Sequence, residues 1–313
     1  MTKQIPFNNP VSPIRLKIPL IILLVLYLVN GRVYAQTYDN LLPLRDHQVT
    51  VYFSPGADKK ANRMAVQLDR VMRFYEKQVQ FTPVVTLLIL SPADWNRYSR
   101  SVVYGMPHFT DSKTLIVAAE NNPFWQSFIP LLENLPAPVA EKIRAAYSGE
   151  DGTLTMEPFF DLLAIHELGH AYHNQKGMKV QRKWMGELFV NIFLHSYIAE
   201  EEPGLLPALT TFPGMVASLT DTATLPFTTL DELELHYDKI AQQYPKNYGW
   251  YQCRWHVEAG RIYDSGGLEV FRKLWTLLQG QDTISDDRVF ASTLSEKVHP
   301  RVADVLLNWN AAQ

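Results

Sequence analysis

The apolar positions of this chain repeat with two periods, and the change between them divides it. Met64, Leu68, Val71, Met72, Tyr75 and Val79 recur at three- and four-residue steps, which predicts a helix with one buried face. On either side, 48–53 reads as a strand stopped by Ser54-Pro55-Gly56, and 83–90 as a buried strand stopped by Ser91-Pro92. A third strand is expected at 113–119. From about Met156 the pattern turns helical, with segments at 158–176, 182–200, 229–243, 247–264 and 268–278 and a last one near 300–311. Pro158 suits the first turn of its helix and Gly177 its end. The expected fold is α+β: an N-terminal α/β subdomain with a mixed sheet over 36–155, then a helical subdomain over 156–313.

The longest apolar run, 18–29, belongs to neither pattern. It spans only 12 residues, follows Lys3, Arg15 and Lys17, and leads to Val33-Tyr34-Ala35, with small residues at the −3 and −1 positions. This is the layout of a secretory signal over 1–35, cleaved before Gln36, and it implies export to the periplasm or the medium if the source is bacterial. The alternative, a retained anchor, asks a short core to cross a hydrocarbon layer about 30 Å thick. No other run is long enough, and mean hydropathy is −0.12, so no stable membrane insertion is expected after the signal is removed.

Charge follows from the same division. The whole chain carries −3, but 1–35 holds four basic residues and no acidic one. Its loss leaves 25 basic against 32 acidic residues, or −7. A body of that sign lacks the basic footprint that phosphate binding requires, so nucleic acid is excluded as a partner. Cys253 is the only cysteine, so stability rests on packing rather than on an intrachain disulfide. With no cysteine beside Ala35, lipid attachment at the cleavage site is excluded too.

Three of the nine histidines fall within Ala164-Ile165-His166-Glu167-Leu168-Gly169-His170-Ala171-Tyr172-His173. On a helix, residues four apart share a face, so His166 and His170 can present two imidazoles to one ion, with Glu167 beside them. A catalytic zinc takes three protein ligands and keeps a position for water, whose proton a neighbouring glutamate can accept. The apolar residues leading in (Phe159, Phe160, Leu162, Leu163 and Ile165) argue against an incidental pair of histidines on a solvated helix.

The third ligand sorts the possibilities. A glycine three residues and a histidine six residues after His170 would define one class, but those positions hold His173 and Lys176. Glu187 is the better candidate, a lone carboxylate among Trp184, Met185, Leu188, Phe189, Ile192 and Phe193. Burying it unpaired would cost several kcal/mol, and a dication is a natural partner. Glu200, Glu201 and Glu202 sit at a helix end before Pro203 and are weaker substitutes. Asn191, one turn after Glu187, can hold the second nitrogen of His166. His173 cannot join the other two histidines on one ion from a straight helix, which leaves it beside the site or in solvent.

Residues 166–191 resemble the gluzincin metallopeptidases, the group of thermolysin and the aminopeptidase-N-like enzymes, and the likeness of layout extends over about 80–280. The resemblance implies a zincin-like cleft between the subdomains, one Zn2+ on His166, His170 and Glu187, Glu167 as general base, and Asn191 in place of a supporting acid. Tyr251-Gln252-Cys253-Arg254, followed by Gly266-Gly267, is similar in layout to the aminopeptidase Tyr-x-Lys-Gly segment, with Cys253 and Arg254 replacing its Lys and Gly. It implies Tyr251 as oxyanion donor; Tyr248 and His256 are alternatives, as is an aromatic packing role. The family also implies that strand 113–119 is an edge that pairs with peptide substrate. Ala118-Ala119-Glu120-Asn121 is similar to a segment that holds a free amino terminus, or is a strand-ending turn.

The leading expectation is an exported zinc peptidase whose partner is a peptide or protein. An exported binding or scaffold protein with the same fold and no catalysis is the second reading, and zinc hydrolysis of a non-peptide substrate the third. Exo- or endopeptidase action and oligomeric state stay open.

Overall fold

In a computed structural model the described residues are 38–310 apart from 100, 102, 150 and 281–285. The expected signal, 1–35, lies outside them. The sheet is built from β1 (Leu42–Leu44), β2 (Thr50–Phe53), β3 (Thr86–Leu90), β4 (His108–Phe109) and β5 (Thr114–Ala118), in the order β1-β2-β3-β5-β4. The central strands β2, β3 and β5 run parallel, while β1 and β4 are antiparallel ends, so the sheet is mixed. Parallel neighbours need a long crossover. Helix α1 (Asp58–Val79) supplies it between β2 and β3, and it is the helix whose apolar spacing the sequence shows.

β5 is buried at all five positions, as expected of a strand with partners on both sides. This corrects the expectation that 113–119 is an edge. β4 covers it, with His108 opposite Ile116 and Phe109 opposite Leu115. Two residues are too few to show an alternating pattern, so β4 cannot be read from the chain. After β5, the Asn122 side chain holds the Glu120 carbonyl and caps the next short helix through the Trp125 N–H. The stretch 118–121 is therefore the strand-ending turn, with Glu120 exposed.

Helices follow: α2 (Pro92–Tyr98) between β3 and β4, then α3 (Pro123–Gln126), α4 (Ala137–Tyr147), α5 (Glu157–Gln175), α6 (Lys183–Glu201), α7 (Leu206–Leu219), α8 (Leu230–Gln243), α9 (Pro245–Gln279), α10 (Asp287–Lys297) and α11 (Pro300–Asn308). The expected helices at 247–264 and 268–278 are the two limbs of α9. They meet at Gly267, whose φ of 61° and ψ of −160° break the helical path, a conformation open to glycine and strained for other residues.

α1 lies on β2 and β3, α5 on β5 and β4, and the two helices touch. Their contact carries a half-buried ion cluster: buried Lys60 pairs with Asp161 and, at 2.9 Å, with Glu157, and the exposed Arg63 bonds the same two acids. Further along, Tyr75 of α1 stacks on Phe193 of α6 at a centroid distance of 3.8 Å and meets Tyr172 of α5 and Phe271 of α9. This aromatic core fixes α5, α6 and α9 against one another, and the candidate chemistry lies on those three helices and α8.

Candidate metal centre

α5 carries the histidines. His166 and His170 stand one turn apart with ring centroids 5.0 Å from each other. Potential ligand atoms of His166, Glu167 and His170 all lie within 4.8 Å of one another. α6 runs beside α5 and brings Glu187 to the same place. Their close approach depends on Gly169, between the histidines: a Cβ there would stand 3.1 Å from Val190 and 3.2 Å from Phe193 of α6, tighter than ordinary contact.

The Glu187 carboxylate, 6% exposed, directs Oε2 at both imidazoles, 3.5 Å from His166 Nε2 and 3.8 Å from His170 Nε2. These separations exceed good hydrogen-bond lengths. They are close to the spacing of tetrahedral ligands, which at zinc bond lengths of about 2.1 Å stand roughly 3.4 Å apart. The donor set of two imidazoles and one carboxylate also suits zinc. The two separations from Glu187 Oε2, and the grouping of His166, Glu167 and His170, are thus compatible with a single dication at this place.

Each imidazole is oriented through its other nitrogen. Asn191 Oδ1 lies 3.3 Å from His166 Nδ1, and the Asn191 amide donates to the Glu187 carbonyl at 3.0 Å, which turns its oxygen toward the ring. His170 Nδ1 lies 3.0 Å from His173 Nε2. His173 therefore stands beside the site, as a partner of a candidate ligand.

Electrostatics follow from burial and from Glu187. Burial lowers His170 to about 3 and His173 to about 4, so both rings are neutral at pH 7. Burial acts on His166 the same way, but the Glu187 carboxylate outweighs it and raises that ring. Burial would raise Glu187; the facing His166 and His170 and the Gln252 N–H hold it well below the usual carboxylate range. The proton that Glu187 draws onto His166 is the one a bound dication would displace. Glu167 is pushed up to about 7 by burial, offset in part by His166.

The other walls come from α8 and α9. Tyr237 Oη donates to Glu187 Oε1 at 2.6 Å and lies 3.0 Å from Tyr248 Oη. Gln252 Nε2 donates to Glu187 Oε2 at 2.8 Å and to Tyr248 Oη at 2.9 Å. Tyr248, Gln252 and His256 follow one another at four-residue steps, so they form one stripe of α9. His256 ends that stripe beside His166, with centroids 6.2 Å apart. Burial first, then the charge of Glu187, raises the Tyr248 phenol.

Tyr251 is not brought to this cluster. Its hydroxyl donates to the Thr229 carbonyl at 2.7 Å, and its ring stacks on Trp309 and Trp255. The Arg254 guanidinium lies 3.7 Å from the Trp309 centroid in the same assembly. Of the tyrosines considered for an oxyanion donor, Tyr248 stands in this cluster and Tyr251, off the stripe of Tyr248, Gln252 and His256, does not. Tyr237 and Gln252 had no reading from sequence. The stripe 248, 252, 256 was the signal for Gln252, whereas nothing local marks Tyr237, 50 residues beyond Glu187.

No family model, curated protein or solved structure matches the chain.

Proposed function

We propose that this chain is a zinc-dependent peptidase of gluzincin type, with its cleft between the sheet layer and the helical region. The observation that carries the reading is the Glu187 Oε2 atom at ligand spacing from two imidazole Nε2 atoms, with Glu167 adjacent. His166, His170 and Glu187 would hold the metal. Zinc bound there supplies a Lewis acid and brings the pKa of its water toward about 7.

Glu167 is the general base. Its carboxylate, beside the proposed metal position, can take a proton from the attacking water and pass it to the leaving amine nitrogen. Tyr248 donates to the carbonyl oxygen as negative charge develops, exchanging its bond to Tyr237 for one to substrate. β4, at the end of the sheet and in contact with α5, offers a backbone edge to an extended substrate.

A second reading, a metal-binding protein without catalysis, is favoured by one observation. The donors around Glu187 are already engaged: the Tyr237 hydroxyl donates a hydrogen bond to Glu187, and Gln252 donates to Glu187 and to Tyr248. Zinc content and cleavage of a peptide library separate the two. The proposed enzyme holds one equivalent of zinc and cleaves, and Glu167→Gln keeps the zinc and loses hydrolysis. Turnover unchanged in Glu167→Gln overturns the mechanism, and stoichiometric zinc without cleavage favours the second reading.

A further inference from the structure

We infer that Tyr237 and Gln252 are positioning residues that restrict Glu187 to binding the metal through one oxygen, Oε2, and so keep a coordination position open. The inference rests on the metal reading above and adds the manner in which the third ligand is held.

The two oxygens of Glu187 have different surroundings. Oε1 accepts the Tyr237 hydroxyl at 2.6 Å, an ordinary length for a charge-assisted bond. Oε2 accepts Gln252 Nε2 at 2.8 Å and is the oxygen that stands 3.5 and 3.8 Å from the imidazoles. A carboxylate oxygen has two lone-pair directions. Oε2 can therefore hold the Gln252 N–H on one and an ion on the other. For Glu187 to bind through both oxygens, Oε1 would have to swing toward the ion and give up the phenol.

The donors are themselves fixed. Tyr248 Oη contacts both, 3.0 Å from Tyr237 Oη and 2.9 Å from Gln252 Nε2, which closes a ring of four side chains. The backbone contributes as well. His236, immediately before Tyr237, departs from helical geometry with φ −122° and ψ 20°, so α8 is kinked where the tyrosine leaves it. Residue 237 is thereby turned relative to the first limb of the helix and reaches Glu187 on α6.

This matters for chemistry because an ion with three single-atom ligands and one water is four-coordinate, whereas a carboxylate bound through both oxygens adds a fifth ligand atom that crowds that water. Outer hydrogen bonds of this kind are worth 10- to 100-fold in metal affinity or activity. Tyr237 and Gln252 touch neither the ion nor a substrate, so they act through Glu187.

Cobalt(II) substitution of the full chain gives the readout, because its visible absorption weakens when coordination rises from four to five. The native protein is expected to bind one cobalt with the strong four-coordinate spectrum. Tyr237→Phe, which removes only the hydroxyl, should still bind one cobalt but with a weakened spectrum. Gln252→Leu should keep the four-coordinate spectrum while its affinity for cobalt falls 10- to 100-fold. A Tyr237→Phe spectrum identical to the native one overturns the inference, as does unchanged affinity in Gln252→Leu, which also serves if the tyrosine variant fails to fold. Absence of cobalt binding by the native chain would overturn the metal reading itself, a result distinct from either of these.

Discussion

His170 Nδ1 lies 3.0 Å from His173 Nε2, one turn along the same helix, and the remaining nitrogen of His173 is buried with no hydrogen-bond partner among the described residues. A ligand imidazole that binds an ion through Nε2 carries its proton on Nδ1 and donates it outward. With a metal on His170 Nε2, as proposed, His173 would accept that hydrogen bond through Nε2 and carry its own proton on Nδ1, the atom left without a partner among the described residues. An uncharged ring would then do the work that a carboxylate often does at such sites.

Removal of that acceptor should loosen the metal. His173→Ala is expected to weaken zinc binding 10- to 100-fold, measured by competition with a chelator, with little change in the zinc affinity of the same protein carrying His173→Gln if the amide oxygen reaches His170. Equal affinity in native protein and His173→Ala would contradict the assignment.

The two tyrosines of α9 should behave oppositely. Tyr248→Phe is expected to lower kcat about 10²- to 10³-fold, the loss typical of an oxyanion donor. Tyr251→Phe removes a hydroxyl bonded to Thr229 and should leave kcat within about twofold while costing about 1 kcal/mol of stability. Denaturant unfolding and steady-state kinetics on the same preparations decide it, and loss of kcat in Tyr251→Phe would restore that residue to the site.

Lys60 is 5% exposed between Asp161 and Glu157. Burial raises the Asp161 carboxyl even with Lys60 beside it, so the pair is poised to suffer when the cation goes. Lys60→Met should destabilise the fold by about 3–5 kcal/mol, because an acid is left buried without its principal partner. Adding Asp161→Leu should recover much of the loss. Urea midpoints for the single and double variants give both numbers.

His195, on α6 and away from the candidate ligands, is lowered by burial, which Asp264 only partly offsets. Its folded-state pKa lies below the unfolded value of about 6.5. The unfolded chain therefore takes up a proton as pH falls through about 6.5 while the folded protein does not. The stability this group contributes is complete above that pH and is lost on acidification, with a limit of about 1.4 kcal/mol per pH unit per group. In chelator-treated protein His195→Phe should flatten the fall in unfolding free energy between pH 7 and 5, and a slope unchanged by the substitution would refute it.

Much of the fold was legible because its signals are local. The spacing of Met64, Leu68, Val71 and Tyr75 marks α1, and the helices bearing His166 and Glu187 were placed within a residue or two of Glu157–Gln175 and Lys183–Glu201. β1 and β4, of three and two residues, are too short to carry a period. α7 is masked by Pro207 and Pro213, which interrupt the run although Ala208, Leu209, Phe212 and Pro213 are buried on one face.

The candidate site divides along the same line. That His166 and His170 share a face with Glu167 beside them follows from the helical period alone, and so does the alignment of Asn191 with Glu187. Both pairs are four residues apart, and backbone geometry settles where they stand. The choice between Tyr248 and Tyr251 does not follow from the chain, since either phenol is plausible until the face of α9 that meets α5 and α6 is known. Tyr237 reaches Glu187 only because α8 is kinked at His236 and packs on α6, and Glu187 reaches the histidines only because Gly169 lets α6 come close. The sequence by itself placed the candidate metal-binding pair and its neighbouring acid on one helix face; the tertiary packing of α6, α8 and α9 decided what surrounds them, because those partners lie tens of residues apart and are brought together by buried area rather than by backbone period.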